Sequence, residues 1–253
     1  MKKRLKSGLG RSTPDSVEVR GRNLADELIG KVSLGDFAYF ELMGRLPSPQ
    51  ESIMFNALAV TLVEHGMTPS AIAARLTYFG APESLQAAVA AGLLGLGDRF
   101  GGSIEQAARM LQEALGEPGG SVDVEDAAKK IVAAHRGGQI IAGLGHPTHK
   151  PVDPRTSRLF EVAAENGFAG RHVELMKGVG KAAATAYGRD LPINATGAIA
   201  AIASDMGISW RVCRGIAVMA RAIGLVAHLQ EEMSDPMAAE IWARVEHEAS
   251  GEL

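Results

Sequence analysis

The sequence predicts an all-α fold, because helix start and stop signals recur along almost its whole length while strand signals are nearly absent. Serine, threonine or aspartate precedes several amphipathic stretches, often with proline next, and glycine stands just beyond their ends. Thirty glycines are many for a helical protein, since each costs about 1 kcal/mol relative to alanine inside a helix. We interpret most of them as close helix crossings, and Gly101-Gly102 and Gly143–Gly145 as candidates for backbone that approaches a ligand.

The first predicted helices follow explicit capping signals. Residues 48–51, Ser-Pro-Gln-Glu, form a capping box with proline at the first helical position, and the helix that they open ends before Gly66. Thr68-Pro69 opens a second helix, which runs to Gly80. A third helix, rich in alanine and glycine, is predicted from about 82 to 93.

The remaining helices are separated by glycines. An amphipathic stretch from Ser103 to Leu115 is followed by a Gly-Glu-Pro-Gly-Gly connection and by a helix that Asp123 caps and Gly137-Gly138 ends. Further helices are predicted at 154–165, 170–187, 195–206, 209–232 and 237–249.

Composition excludes several classes of function. A chain of 253 residues suits one large domain or two small ones. The formal net charge of -3 is too small to indicate a nucleic-acid partner, so we expect small molecules or a second copy of the chain. Cys213 is the only cysteine, which rules out an intrachain disulfide and a cysteine metal cluster and makes a cytoplasmic location the simplest expectation.

The N-terminus is basic without being apolar. Residues 1–6 are similar to the charged start of a signal peptide, but Ser7, Gly8, Gly10 and Arg11 follow where an apolar region would be needed. We expect residues 1–22 to form a flexible basic tail. No apolar run reaches the roughly 20 residues of a membrane span without charge or glycine, so a membrane partner is not expected.

The most informative motif is Gly143-Leu144-Gly145-His146, followed by Asp153-Pro154-Arg155. Two glycines allow a tight turn with accessible amide groups, and the Asp-Pro step starts a helix whose first turn carries a guanidinium. An acyl or carboxylate ligand would suit this arrangement. A histidine at a glycine-rich turn is also common as a cap or surface residue, so the motif alone leaves both interpretations open.

Two further histidines, His65 and His149, are each open to a structural and a functional interpretation. His65 stands just before Gly66 at a predicted helix C-terminus, where a capping role is as plausible as a functional one. His149 follows His146 by three residues, which raises the question of a metal. No cysteine or carboxylate completes a ligand set at the usual spacing, and HExxH is absent, so we expect no metal.

Three arginines are candidates for binding anions. Arg155 follows a helix start, and Arg221 lies in an apolar segment, where a buried guanidinium requires a partner. That partner is either an internal carboxylate or a substrate carboxylate held by the guanidinium fork. Arg99, which follows Asp98, is open to the same two interpretations. The patterns GxGxxG, Walker A, GxSxG and CxxC are absent.

Four ordered blocks together resemble the citrate synthase superfamily, most closely its short citryl-CoA lyase branch and the C-terminal module of ATP-citrate lyase. The resemblance covers nearly the whole chain, and four blocks in order are far more specific than any one of them. The blocks are Glu64-His65-Gly66 before Ala73-Ala74-Arg75, Gly92–Gly102, Gly143–His146 with Asp153-Pro154-Arg155, and Arg221–Gly224 with His228.

The resemblance implies an all-helical, intertwined homodimer with large and small helical domains and active sites between them. It implies carbon–carbon bond chemistry on an acyl-CoA and a di- or tricarboxylate, with no metal or redox cofactor. Residues 23–253 would then form the citrate synthase-like module, with a smaller subdomain at about 145–210.

The resemblance also implies roles for single residues. The position that matches His146 handles the proton on the substrate oxygen, and the one that matches His65 binds the same region of the substrate. Those that match Arg155 and Arg221 hold substrate carboxylates. Such histidines and arginines suit the retro-aldol cleavage of a citryl thioester, which removes a hydroxyl proton and binds several carboxylates. The implied CoA-binding positions are Arg99, Gly101, Gly102, Gly143, Leu144 and Gly145.

One position departs from the family pattern. The family places a catalytic aspartate two residues after an asparagine, and here Thr196 takes that place after Asn194. A threonine hydroxyl does not act as a carboxylate base near neutral pH, so the carbon-acid step would slow by about 10²–10⁴-fold if nothing replaces the aspartate. Asp98, Asp190 and Asp205 are the candidate replacements nearby in sequence.

The leading hypothesis is a citryl-CoA lyase-like enzyme that reversibly cleaves citryl-CoA, or a related 3-hydroxy-3-carboxyacyl-CoA, into acetyl-CoA and oxaloacetate or another 2-oxo acid. One alternative is citrate synthase-like condensation, and another is an aldol-type lyase whose substrate needs no aspartate. A third is a CoA-ester-binding or regulatory protein that has lost catalysis through Thr196.

Overall fold

The computed structural model describes residues 7–117, 119–135, 139–146 and 150–251. In this part of the chain, three short strands and a π-helix precede eleven α-helices, and the predicted all-α fold is confirmed. The strands are β1 Gly10–Ser12, β2 Val17–Val19 and β3 Arg22–Asn23, and the π-helix is Leu24–Leu28. The helices are α1 Leu34–Met43, α2 Pro49–Val63, α3 Pro69–Gly80, α4 Leu85–Leu94, α5 Gly102–Leu115, α6 Val124–Ala134, α7 Pro154–Glu165, α8 Arg171–Tyr187, α9 Ala195–Asp205, α10 Trp210–Ser234 and α11 Ala238–Ser250.

The capping signals act as the sequence predicts. The Ser48 N–H donates to Glu51 Oε2 at 2.8 Å and the Glu51 N–H donates to Ser48 Oγ at 3.2 Å, which is the reciprocal pattern of a capping box. Asp123 accepts from the Asp126 N–H at 2.8 Å and starts α6. Helix α4 begins at Leu85, about three residues later than predicted.

The predicted flexible basic tail, residues 1–22, contains short strands in its described part, and residues 1–6 lie outside the described residues. Strands β1 to β3 pair as an antiparallel meander in which Gly10 lies opposite Val19 and Glu18 lies opposite Asn23. Every residue of β1 is exposed to solvent. Strands of two or three residues are too short for an alternating apolar pattern to show in the sequence, which explains why they were not predicted.

Helix α1 was also not predicted. Ser33 caps it by accepting from the Asp36 N–H at 3.2 Å, and the helix buries Tyr39 and Phe40. Its first turn contains Gly35, a weak helix former, so the local sequence carries little helix signal. Burial of the two aromatic rings stabilises the helix instead.

The chain divides into two compact units, Met1–Ala57 and Leu58–Leu253. In the first unit, the ring of Tyr39 packs edge-on against Phe55 with centroids 5.5 Å apart, and its hydroxyl donates to Glu51 at 2.6 Å. The second unit contains α3 to α11 and all of the candidate site residues named from the sequence.

Helix α9 lies at the centre of the second unit. Nine of its eleven residues are buried, and most of them are alanine, glycine or isoleucine. The small side chains let four helices, α5, α7, α8 and α10, approach it closely. The N-terminus of α9 is therefore held in place from several sides, which matters because Asn194 and Thr196 lie there.

Helix α10 is the longest helix and is apolar enough to span a membrane by length and composition alone. Its buried face carries Arg221, His228 and Glu232 and packs against α3, α4, α5 and α9. A buried core helix passes the same test of length and composition, so this one helix is weak evidence for a membrane span.

A glycine allows α10 to contact the end of α2. A Cβ atom built on Gly224 would lie 1.9 Å from the carbonyl oxygen of Val63 and 3.4 Å from Glu64 Oε2. No other residue type fits without moving the backbone. This contact brings the segment that carries Glu64 and His65 directly onto α10.

Replacement of this glycine tests the contact. Gly224→Ala is expected to lower the free energy of unfolding by about 2 kcal/mol, because the added methyl group overpacks a rigid backbone contact. The matched control is Gly215→Ala in the same helix, where a Cβ would meet nothing within 4 Å. This control is expected to raise the free energy of unfolding by about 0.5 kcal/mol. Urea unfolding measures both values, and equal stability of the two variants would contradict the assignment.

Candidate active site

The glycine-rich turn Gly143–His146 is held against the segment that leads into α9. The Gly145 N–H donates to the Pro192 carbonyl at 2.7 Å, and the Asn194 N–H donates to the Gly143 carbonyl at 3.0 Å. The side-chain amide of Asn194 donates to the Gly145 carbonyl at 2.8 Å. These three hydrogen bonds fix the backbone from which the His146 side chain extends.

The two positions in this turn are glycine for different reasons. Both have positive φ angles, 89° at Gly143 and 80° at Gly145. A Cβ on Gly143 would lie 2.7 Å from the Cα of Gly197, so this position is needed for close packing on α9. A Cβ on Gly145 would meet nothing within 4 Å among the described residues, so glycine is needed here for its positive φ angle rather than for packing.

A buried carboxylate organises the arginine of the motif. Asp153 is fully buried and accepts from the Arg155 N–H at 3.0 Å, from Arg155 Nε at 3.0 Å and from Arg155 Nη2 at 2.8 Å. It also accepts from the Ala195 N–H, the first residue of α9, at 3.2 Å. One side chain therefore starts α7, orients a guanidinium and satisfies an N–H group at the start of α9.

The charge of Asp153 is stabilised by these contacts. Burial alone would raise the pKa of its carboxyl, but the Arg155 guanidinium and the N–H groups of Arg155 and Ala195 outweigh burial, and the net pKa lies below its usual value. The group is therefore ionised at neutral pH and forms a true ion pair with Arg155.

Two histidines and one arginine that the sequence analysis named come together. Nη2 of Arg155 lies 3.4 Å from Nε2 of His146. The rings of His65 and His146 are 6.4 Å apart between centroids and nearly perpendicular, at 79°. Since arginine only donates hydrogen bonds, His146 Nε2 acts as the acceptor in this contact, and its lone pair is directed at Arg155.

His65 lies just beyond the end of helix α2. The helix ends at Val63, so His65 lies in the following turn, where it is exposed and its ring lies beside that of His146. A functional role for His65 stays a prediction.

Arg221 is buried in α10 with part of its guanidinium unbonded. The residue is 8% exposed, and among the described residues its Nε and Nη1 atoms have no hydrogen-bond partner. Burial lowers the pKa of Arg221, while the carboxylate of Glu64 acts in the opposite direction. A buried guanidinium with two donors that have no partner among the described residues is costly, and an anionic partner would stabilise it.

Thr196 is engaged in the cap of α9. Its hydroxyl donates to Asn194 Oδ1 at 2.7 Å, and the same oxygen accepts from the Gly197 N–H at 3.0 Å. Asp98, one of the three candidates to replace the family aspartate, pairs instead with Arg214 at 2.8 Å.

Asp205 and Asp190 are the other two candidates to replace the family aspartate. Asp205 accepts from the backbone N–H groups of Gly170 at 2.9 Å and His172 at 3.0 Å, so it caps α8. Asp190 is exposed to solvent. Like Asp98, Asp205 is therefore committed to another structural contact.

The predicted CoA-binding positions fall in two places. Gly143, Leu144 and Gly145 lie in the turn beside His146. Arg99 is exposed, and Gly102 starts α5 where a Cβ would lie 2.6 Å from the side chain of Asp98. Gly102 therefore packs against the Asp98–Arg214 ion pair. CoA binding at either place stays a prediction.

The supporting residues of the site are not predicted from the sequence as functional groups. Glu64 and Asn194 stand within the motifs, and each accepts from or donates to the backbone of a residue in the site. The available signal was their position, since Asn194 stands at an N-cap and Glu64 stands next to His65. His149 lies outside the described residues, and within them no group of three or more His, Cys, Asp and Glu side chains could hold a metal ion.

The ion pair of Asp153 is expected to make stability dependent on acid pH. Its pKa is lowered by folding, so its stabilising effect is complete above the unfolded value of about 3.9 and is lost as pH falls through the lower folded value. Asp153→Asn is expected to lower the free energy of unfolding by about 3 kcal/mol at pH 7, since it leaves a partly buried guanidinium without its partner. The difference from the wild type should shrink below about pH 4.

Denaturant unfolding at a series of pH values measures this difference. Asp190→Asn is the matched control, because Asp190 is exposed and its change is expected to stay within about 0.5 kcal/mol. A difference for Asp153→Asn that does not change between pH 7 and pH 3 would contradict the role of its charge.

Comparison with known proteins identifies the family. The family model described as citrate synthase, C-terminal domain, matches residues 22–242. The structure of citryl-CoA lyase from Hydrogenobacter thermophilus is 38% identical with a TM-score of 0.82, and the match covers 91% of this chain and 88% of that one. No curated protein matches the sequence.

Two more distant structures share the fold. A variant of ATP citrate lyase from Methanosaeta concilii, in complex with (3S)-citryl-CoA, is 22% identical with a TM-score of 0.73, over 92% of this chain and 39% of that one. Citrate synthase from Thermotoga maritima is 16% identical with a TM-score of 0.57, over 92% of this chain and 90% of that one. With the family match and the citryl-CoA lyase likeness, these findings show that the chain belongs to the citrate synthase family.

Proposed function

We propose that this chain is a citryl-CoA lyase-like enzyme, which reversibly cleaves citryl-CoA or a related 3-hydroxy-3-carboxyacyl-CoA into acetyl-CoA and oxaloacetate or another 2-oxo acid. The observation that carries the proposal is the convergence of His65, His146 and Arg155 beside the glycine-rich turn Gly143–His146. The likeness to a citryl-CoA lyase over most of both chains supports it.

The cleavage step needs one base for the substrate hydroxyl. In the proposal, Nε2 of His146 takes the hydroxyl proton, and the bond between the carbinol carbon and the methylene next to the thioester breaks. The carbinol carbon becomes the ketone of the 2-oxo acid, and the bonding electrons form the thioester enolate. The enolate takes up one proton from water and becomes acetyl-CoA, and His146 releases the hydroxyl proton to water, so atoms and charge balance.

The substrate carboxylates need cationic partners. Nε and Nη1 of the buried Arg221 guanidinium have no hydrogen-bond partner among the described residues. They lie on different edges of the guanidinium, so each is a candidate for a separate charge-assisted hydrogen bond to a substrate carboxylate oxygen. Asp153 engages Nε and Nη2 of Arg155, so Nη1 is the nitrogen that remains for a second carboxylate. His65, whose ring faces His146, would bind the same end of the substrate.

The proposal assigns CoA contacts to the backbone of Gly143, Leu144 and Gly145 and to the Arg99, Gly101 and Gly102 region. The position of this turn beside His146 supports the first of these. The proposal requires no cofactor besides the CoA thioester substrate. A homodimer and a cytoplasmic location complete the proposal, the first from the family resemblance and the second from the single cysteine.

A second candidate function is a CoA-ester-binding protein with impaired catalysis. Thr196 favours it, because its hydroxyl is committed to Asn194 and the contacts of Asp98 and Asp205 lie elsewhere. Condensation in the citrate synthase direction uses the same groups in reverse, by microscopic reversibility, and is a matter of which substrates are present.

Turnover of citryl-CoA by the purified protein tests the proposed function. Acetyl-CoA and oxaloacetate are expected as products, and His146→Ala is expected to lower kcat by about 10²–10⁴-fold, because it removes the base that takes the hydroxyl proton. His247→Ala, on the exposed face of α11, is the control and should keep the wild-type rate.

Calorimetry with CoA and its esters decides between the two functions. CoA binding with no turnover by correctly folded protein, unchanged in Thr196→Asp, would refute the lyase and support the binding protein. Turnover that His146→Ala abolishes would refute the binding protein.

Arg221 is expected to separate binding from stability. Arg221→Met should weaken oxaloacetate binding by about 100-fold, because the carboxylate loses two charge-assisted hydrogen bonds. It should leave the free energy of unfolding unchanged or higher, since an apolar side chain replaces a buried charge with unbonded donors. Calorimetry and thermal unfolding measure the two effects.

The exposed Arg244, which pairs with Glu240 within α11, supplies the control as Arg244→Met. Loss of stability in Arg221→Met without loss of binding would show an internal structural role for Arg221 and contradict the assignment.

A further inference from the structure

A fully buried arginine lies outside the site described above. Arg75 on α3 is 0% exposed, and its Nη1 donates to Glu232 Oε2 at 2.8 Å. Its Nη2 pairs with Glu231 and lies 3.0 Å from Nδ1 of His228. Glu232 in turn accepts from the backbone N–H groups at the start of α11, at 3.0 and 2.9 Å. Arg75 is thus held rigidly where it meets the His228 ring.

The contact with Arg75 determines the tautomer of His228. Arginine has no acceptor, so Nδ1 of His228 accepts and carries a lone pair. The ring proton of the neutral imidazole is then on Nε2, which lies 3.2 Å from Glu64 Oε1 and 3.1 Å from Glu64 Oε2. His228 therefore accepts from one charged residue and donates to another.

The carboxylate of Glu64 connects His228 to the backbone of His65. Its Oε1 accepts from the His65 N–H at 2.8 Å and also from the Gly66 N–H. Partial burial raises the pKa of Glu64, but the N–H groups of Gly66 and His65 and the nearby His228 outweigh it, and the net pKa lies below its usual value. The group is ionised at neutral pH and forms strong, charge-assisted hydrogen bonds.

The same carboxylate acts on Arg221. Glu64 is the group whose charge favours the ionised form of that buried guanidinium. Since the missing Cβ of Gly224 lets the end of α2 contact α10, Glu64 lies between His228 on one side and the His65 backbone on the other.

We propose that Arg75, His228 and Glu64 form a hydrogen-bonded relay that positions His65 opposite His146. His228 and Glu64 are positioning residues, since they act through His65 rather than on the substrate. The effect of the relay on catalysis rests on the proposed function, whereas its effect on His65 does not. The Arg–His–Glu chain ends on the backbone of the turn that carries His65. It therefore restrains the backbone from which the exposed His65 side chain extends, more than the packing of the loop alone would.

Three variants test the relay. His228→Gln keeps an N–H group for Glu64 and an oxygen for Arg75, whereas His228→Leu keeps a similar volume and removes both. Glu64→Gln changes a side chain that is 50% exposed, so it can be studied even if His228→Leu does not fold. His247→Leu on exposed α11 is the control for histidine replacement.

Nuclear magnetic resonance of the ligand-free protein with 15N-labelled histidine is the first measurement. We expect one ring with its proton on Nε2 to disappear in both His228 variants, which assigns it. The His65 signals should shift in His228→Leu and Glu64→Gln and return towards wild type in His228→Gln. His65 signals that stay unchanged in Glu64→Gln would overturn the proposal, whether or not the protein turns over citryl-CoA.

Kinetics with citryl-CoA is the second measurement. The value of kcat/KM is expected to fall by about 100-fold in His228→Leu, because a misplaced group near the reacting atoms costs about that factor, and to stay near wild type in His228→Gln. Equal losses in both His228 variants, in proportion to their loss of thermal stability, would show a packing role and overturn the proposal. If the wild type shows no turnover, the proposed function fails, and the resonance measurement alone decides on the relay.

Discussion

The candidate site depends on one buried carboxylate. Asp153 is inaccessible to solvent, yet it is ionised because the Arg155 guanidinium and two backbone N–H groups surround it. Through these contacts it joins the start of α7 to the start of α9 and aims Arg155 at His146. A charge buried this deeply is stable only with all of its partners in place, so its position restrains theirs.

Three basic side chains in the second unit show how pairing decides their roles. Arg75 is completely buried and binds Glu232 and His228, so its role is structural, although its Nε has no hydrogen-bond partner among the described residues. Arg155 is shared between Asp153 and His146. Arg221 has two unbonded donors within the described residues and Glu64 as its nearby countercharge. Of the three, Arg221 is the one whose hydrogen bonding an anionic ligand would improve most.

Close backbone contacts bring these groups together. The approach of α10 to the end of α2 requires Gly224, and the approach of the glycine-rich turn to α9 requires Gly143 and Gly197. Each contact lies close to a site histidine. Val63, in the first contact, precedes His65 by two residues, and Gly143, in the second, precedes His146 by three. The glycines that seemed costly for a helical protein are therefore used where helices and turns must touch without side chains between them.

The sequence by itself determined the helical fold and nearly every helix boundary, because caps, prolines and glycines act locally on the backbone. It also identified His65, His146, Arg155 and Arg221, whose residue types suit carboxylate and proton chemistry.

Only the tertiary structure decided which of these groups meet. The pairing of Asp153 with Ala195, or of His228 with Glu64, joins residues 42 and 164 positions apart, and no local pattern encodes such distances. The short strands β1 to β3 and helix α1 were missed for the same reason, since pairing and burial rather than local preference stabilise them. The sequence thus supplied the chemical groups, and long-range packing placed them, because contacts between distant residues depend on the whole fold.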